Sequence, residues 1–436
     1  MGKPKKLMGV QQNLIKTTPE NDAIISYLCE QSGKIYNSGV YFARQTLFKT
    51  GKILTGKFDL DYEPSVSKTD LFRSIPSSSA QQTTRSVIEA FKSFKELRAL
   101  HFKGQLHFKP KPPSYLEGSR LFKMSYPNSG GGAPKLIDGM IRFPLGLAVK
   151  RWFGISEFFL PMPSNLDFSK VKEFTILPKN GSFYLEMSYE KQAVVNDLDL
   201  AKVLGIDLGT SANLAACIDN AGNSFLIDAR QIKSMNQWWN KVVANTKEGK
   251  TADYWDESLD KATRKRNDQM RDGVNKAARL MVDHAVWHGI GTIVCGWNEG
   301  FKSNANMGRV NNQKFVQMPL AKLRDRIEQL CLENGIKFEV TEEAYTSKGS
   351  FLDGDSLPKF GAKPDGWKAS GKRVLRGLYQ SSNGWKINAD LNGAANIIRK
   401  VAGIAGFDLS GLSRAQLTAP KRVRLWQVRR PDAIAS

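Results

Sequence analysis

The stretch Val203-Leu204-Gly205-Ile206-Asp207-Leu208-Gly209 decides how this chain is read. Apolar residues and glycine surround a single aspartate. That is the pattern of a strand buried on both faces which delivers a carboxylate at its end. Residues 214–219 and 224–228 follow at hairpin spacing and predict two antiparallel partners. A long helical stretch comes next, with the basic run Arg264-Lys265-Arg266 inside it. Two further strands are expected at 291–296 and 337–342. A helix over 319–334 joins them, which makes them parallel.

Three meandering strands followed by helix-linked parallel strands is the RNase H-like order. Upstream the texture differs. Over residues 20–103, Ile24, Ile25, Leu28, Ile35, Val40 and Leu47 recur at helical spacing, and residues 83–97 repeat the pattern. From 104 to 198, short alternating runs (106–109, 139–143, 182–189) separated by turns such as Ser129-Gly130-Gly131-Gly132 predict a small β-barrel or twisted sheet. A strand near Leu14 is expected to join that sheet, which makes the helical part an insertion.

Composition narrows the partner. The 436 residues carry 64 Lys and Arg against 42 Asp and Glu, a formal charge of +22 spread along the chain. Such a surplus favours a polyanion held in a long channel, because each neutralised phosphate releases counterions. Cys29, Cys217, Cys295 and Cys331 form no C-x-x-C pair, which argues against a disulfide framework and an evident zinc ribbon. His284 and His288 lie four apart on a helix without a third ligand nearby, so packing outweighs zinc binding. No apolar run approaches the roughly 20 residues of a membrane span, and the start Met1-Gly-Lys-Pro-Lys-Lys is not a secretory signal. A cytoplasmic, nucleoid-associated protein of prokaryotic origin is the expectation.

Asp207 alone is ambiguous, since Gly-Ile-Asp-Leu-Gly-Thr also looks like the first phosphate motif of actin-like and Hsp70-like ATPases. No second Asp-x-Gly motif with an adenosine loop follows, and the positive charge suits nucleic acid better. Asp390 opens Asn388-Ala389-Asp390-Leu391-Asn392-Gly393-Ala394-Ala395-Asn396-Ile397, where Leu391, Ala395 and Ile398 share one helical face. Gly393 and Ala394 permit close approach to a sheet and leave Asp390 free to face the first strand. A plain helix-capping aspartate is the bland alternative.

Asp207, the 388–397 motif and Tyr345-Thr346-Ser347-Lys348 resemble the RuvC motifs of transposon-encoded TnpB proteins, whose relatives are Fanzors and compact type V CRISPR effectors. The matching stretches lie within 199–403. The resemblance implies an RNA-guided, Mg²⁺-dependent DNA endonuclease in which three carboxylates hold two ions for phosphodiester hydrolysis. Its partners would be a noncoding guide RNA and double-stranded target DNA. The middle glutamate usual in that family is replaced by Gly296. Glu343, just before the Thr-Ser element, is the expected substitute, and Glu299 the runner-up. Strands about 4.8 Å apart make such a relocation feasible.

Residues Ser350 and Asp353 stand where relatives place the first zinc cysteines, so the insert is expected to fold without zinc. The implied division is a wedge-like β domain (1–19 and 104–198), a helical recognition domain (20–103) and a RuvC domain (199–345 and 386–403). A target-binding insert (346–385) and a basic tail (404–436) complete it. Arg264, Lys265, Arg266, Lys372, Arg373 and Arg376 are candidate nucleic-acid contacts, and the tail's Lys421-Arg422-Val423-Arg424 is either another or a solvated charge run. Two other readings remain open: an RNA-guided repressor that does not cut, and a guide-free resolvase or transposase.

Overall fold

The computed structural model describes residues 7–16, 18–118, 121–209, 212–298 and 318–427. They fall into two units, Met1–Lys191 and Gln192–Ser436.

The first unit opens with β1 (Met8–Leu14) and the long helix α1 (Pro19–Thr50). Thr18 starts that helix by accepting the Asn21 amide, and Gly51 ends it at a φ of 72°, a conformation that glycine adopts without strain. Two single-turn helices, α2 (Pro64–Ser67) and α3 (Asp70–Arg73), lead into α4 (Ser77–Phe102). Helices α1 and α4 bury Val40, Ala43, Val87, Ile88 and Phe91 together.

The rest of this unit is β2 (Met124–Pro127), β3 (Lys135–Ile137), β4 (Met140–Pro144), the short α5 (Leu147–Phe153), β5 (Glu157–Pro161), β6 (Val171–Lys179) and β7 (Ser182–Glu190). They form two antiparallel sheets, ordered β1-β7-β6-β2 and β3-β4-β5. One core unites them with α1, since Ile24 and Leu28 pack with Tyr126, Phe143, Phe158 and Phe174. Residues 106–109, expected as a strand, form none. Pro110, Pro112 and Pro113 follow them, and proline cannot donate to a sheet ladder.

The second unit is built on six strands ordered β12-β11-β8-β9-β10-β16. Strands β8 (Asp199–Leu208), β9 (Asn213–Asp219) and β10 (Ser224–Asp228) form the meander. Helices α6 (Arg230–Lys247) and α7 (Glu257–Trp287) then lead to β11 (Ile290–Gly296), which runs parallel to β8. Helix α8 (Leu320–Asn334) returns the chain to β12 (Lys337–Thr341), parallel to β11. A three-stranded antiparallel meander, β13 (Lys372–Leu375), β14 (Leu378–Gln380) and β15 (Lys386–Asn388), precedes α9 (Ala389–Ala405). The chain ends through α10 (Arg414–Thr418) and β16 (Lys421–Val423). This is the RuvC-like order.

The period-two alternation of β8 explains its apolar sequence. Leu204, Ile206 and Leu208 pack with residues of α7 and α8 on one face. Val203 joins Leu391, Ala394 and Ile398 of α9 on the other. Gly205 lets α9 approach, because a Cβ there would lie 2.7 Å from the Ala394 carbonyl oxygen and 2.5 Å from Ile398 Cγ1. Gly205→Ala should therefore destabilise this unit by about 1–3 kcal/mol, read as a lower urea midpoint with an unchanged slope.

The basic tail expected over 404–436 is in part a sheet element. Strand β16 pairs parallel with β10, with Leu226 opposite Arg422. Val423 and Leu425 join the buried core. Among the described residues, no helix is long and apolar enough to cross a membrane.

Candidate active site

Alternation along β8 points Asp207 to the same face as Gly205, toward α9. A Cβ on Gly393 would lie 2.5 Å from Asp207 Oδ2, so glycine at 393 is what lets this carboxyl lie against the helix. Helix α9 begins at Asn388, whose side chain accepts the Asp390 and Leu391 amides at 3.0 Å each. Asp390 thus sits in the first helical turn, where exposed N–H groups favour negative charge. Its two oxygens are held separately: Oδ2 accepts from Asn213 Nδ2 at 2.8 Å and Oδ1 from Arg373 Nη2 at 2.9 Å.

Glu343 reaches the same place from beyond the end of β12. A Cβ on Gly296, at the end of the neighbouring β11, would lie 2.8 Å from Glu343 Cγ, 2.9 Å from its Oε1 and 2.5 Å from Ile397 Cδ1. The Glu343 side chain therefore fills the space that a side chain at 296 would need. Asn298 brackets it twice, with Oδ1 accepting the Glu343 amide at 3.0 Å and Nδ2 donating to Oε2 at 3.4 Å. Glu342, its neighbour, turns elsewhere and pairs with Lys400 at 3.0 Å.

The turn after Glu343 is tied to α9 by two asparagines whose role the sequence did not disclose. Asn396 Nδ2 donates to the Thr346 and Gly349 carbonyls at 2.9 and 2.8 Å. Asn392 donates to Gly349 O at 2.8 Å and accepts the Phe351 amide at 2.9 Å. Both are fully buried. The Thr346 hydroxyl donates to the Glu343 carbonyl at 2.9 Å, and Tyr345 turns through a φ of 64°. Spacing of i, i+4 puts both asparagines on one helical face. That is the physical content of the 388–397 motif beyond its aspartate.

Burial first, and then the Glu343 and Asp390 carboxylates, drive the Asp207 pKa well above the usual aspartate range, with Arg373 opposing. Burial pushes Glu343 up to about 7. An aspartate raised by two neighbouring carboxylates lacks enough positive charge around it, and Arg373 supplies part of it. All donors are hard carboxylate oxygens, the type that suits Mg²⁺. Among the described residues, no three His, Cys, Asp or Glu side chains stand preassembled as an ion cage. Arg373 occupies one Asp390 oxygen instead.

The remaining sequence candidates are distributed as follows. Glu299 lies outside the described residues. Arg266 is a packing residue: its Nε donates to Asn236 Oδ1 at 2.8 Å and its guanidinium lies over Trp239. Lys265 lies over Trp238, while Arg264 also sits on α7 and is part-buried. Lys372 and Arg376 flank Arg373 on or beside β13, and both are exposed. His284 is buried with Nε2 2.9 Å from Asp219 Oδ2, a core pair, and stacks near His288. At the positions where the resemblance would place zinc cysteines, Ser350 Oγ accepts the Asp353 amide at 3.3 Å. Asp353 in turn accepts Ser382 N and Oγ at 2.9 and 2.6 Å. Hydrogen bonds thus tie the two ends of the insert.

Against this geometry, comparison with known proteins is specific. Residues 186–300 match the family described as OrfB_IS605, probable transposase, and residues 321–397 match the Cas12f1-like TNB domain. The CRISPR-associated endodeoxyribonuclease Cas12f1 of Sulfoacidibacillus thermotolerans is 23% identical over 231 residues. That alignment covers 50% of this chain and 50% of that protein, so the chain spans about half the length of its curated relative. The cryo-EM structure of a Cas12f1-sgRNA-target DNA complex shares the fold, with a TM-score of 0.58 at 16% identity over 87% of this chain and 83% of that one. The likeness to TnpB-like RNA-guided nucleases thus extends from the motifs to both family profiles and to the fold.

Proposed function

We propose, from this likeness to TnpB-like and Cas12f1-like proteins, that the chain is an RNA-guided DNA endonuclease whose nuclease centre is Asp207, Glu343 and Asp390. The observation that supports the reading is that two carboxylates distant in sequence, Glu343 and Asp390, act on Asp207 and, together with its burial, raise its pKa. Bound there, divalent cations supply the Lewis acidity for phosphodiester hydrolysis.

The chain's own residues hold and orient the ligands. Asn213 fixes one oxygen of Asp390, and Asn298 fixes both the backbone and the carboxylate of Glu343. The buried asparagines of α9 keep the turn beyond Glu343 in place. Arg373 donates to the other Asp390 oxygen, so an ion bound there would share that oxygen with the guanidinium or displace it. Guide pairing selects the target, and the positive charge of the chain holds the nucleic acid by its backbone. Lys372, Arg376, Arg264 and Lys265 are the proposed phosphate contacts.

The test is cleavage of a target plasmid by protein purified with its own guide. Cutting that needs Mg²⁺ and vanishes after RNase treatment supports the proposal. Binding without cutting points to a repressor, and RNase-resistant cutting points to a guide-free DNA enzyme. Either result overturns it.

A further inference from the structure

Asp390 is held by a chain of contacts that begins in the C-terminal strand. Asn213 Oδ1 accepts from Arg422 Nη1 at 2.8 Å, while Asn213 Nδ2 donates to Asp390 Oδ2 at 2.8 Å. Arg422 stands 3.6 Å from Asp228 Oδ2. Asp228 is itself fixed by the Arg230 amide at 2.8 Å and by its guanidinium. Sheet register makes this a built arrangement, since Asn213 of β9 pairs with Asp228 of β10, and Leu226 of β10 with Arg422 of β16. Asn213 and Asp228 are each only 6% exposed.

We infer that Arg422 is a positioning residue for the nuclease centre, acting on Asp390 through the Asn213 amide. A guanidinium has only donors, so it dictates that the amide oxygen faces Arg422 and the NH₂ faces Asp390. Without it the amide oxygen loses its donor and the side chain is anchored only at the Asp390 end, so the carboxylate oxygen that must meet a cation is held less firmly. The strand at 421–423 is therefore part of the site, although it lies more than thirty residues beyond Asp390 in the chain. This inference rests on the proposed nuclease centre.

The experiment is a Mn²⁺ titration of the 436-residue chain without nucleic acid, followed by the spin-resonance signal of free Mn²⁺. The variants are Arg422→Met, Arg422→Lys, Asn213→Ala, the Asn213→Ala/Arg422→Met double and Asp390→Ala. Guided plasmid cleavage is the second readout. Arg422→Met and Asn213→Ala should each weaken Mn²⁺ binding and cleavage by about 10- to 100-fold, the usual range for a residue that orients a metal ligand. Arg422→Lys should fall between Arg422→Met and the parent. The double variant should be no worse than Asn213→Ala alone, because the arginine acts only through that amide.

Parental Mn²⁺ affinity in Arg422→Met, or losses that multiply in the double variant, would overturn the inference. If Asp390→Ala binds Mn²⁺ like the parent, the nuclease-centre reading has failed instead. Should Arg422→Met not fold, judged by its urea midpoint, Arg422→Lys and Asn213→Ala carry the same test.

Discussion

Asp207→Ala should cost at least roughly 10³-fold in target cleavage, about 4 kcal/mol of barrier, while leaving guide and target binding unchanged. The same substitution should not cost stability. Asp207 is a half-buried acid whose pKa is raised by its surroundings and by two neighbouring carboxylates, so its ionised form is a liability to the metal-free fold. Removing it relieves repulsion at the end of β8, and the thermal midpoint should stay level or rise. Loss of activity with retained or improved stability marks a residue kept for chemistry. A variant that loses both together would mark Asp207 as a packing residue.

The second large effect concerns the relocated glutamate. Glu343→Ala should also lose cleavage by roughly 10²-fold or more. Gly296→Glu should be as damaging even though it adds a carboxylate at the position the TnpB resemblance implies for one. A side chain at 296 would meet Glu343 Cγ at 2.8 Å and Ile397 Cδ1 at 2.5 Å, so both cannot occupy the site. The paired change Gly296→Glu with Glu343→Gly should recover part of the activity, because it vacates the space and returns an acid from the adjacent strand. No recovery, combined with full cleavage by Glu343→Ala, would assign the third acid elsewhere, with Glu299 the first alternative to substitute.

Much of this site is legible in the sequence because its chemistry rides on strong local patterns. A continuous apolar strand with one acid marks Asp207, and helix-capping residues with small neighbours mark Asp390. Glu343 is implied by the TnpB resemblance, as the acid just before the Thr-Ser element once Gly296 leaves the usual position empty. What stays hidden is held by contacts without local periodicity. Arg422 sits in a three-residue strand inside a basic run, which reads equally as a solvated tail. Arg373 reads as a nucleic-acid contact in a basic run, and in the fold it pairs with Asp390. Arg266 has the composition of a phosphate contact, yet it spends its donors on Asn236 and Asn267 between two helices. Residues 106–109 alternate like a strand, but the proline-rich stretch after them and the lack of a partner leave them unpaired. Alternation reports which faces a segment could bury, and pairing depends on what arrives beside it.

Anomalous scattering from crystals grown with Mn²⁺ tests the central claim most directly. The account predicts peaks contacted by carboxylate oxygens of Asp207, Glu343 and Asp390 together, with Arg373 moved off Asp390. Peaks that bypass this trio, or a peak that takes Glu299 in place of Glu343, would contradict it.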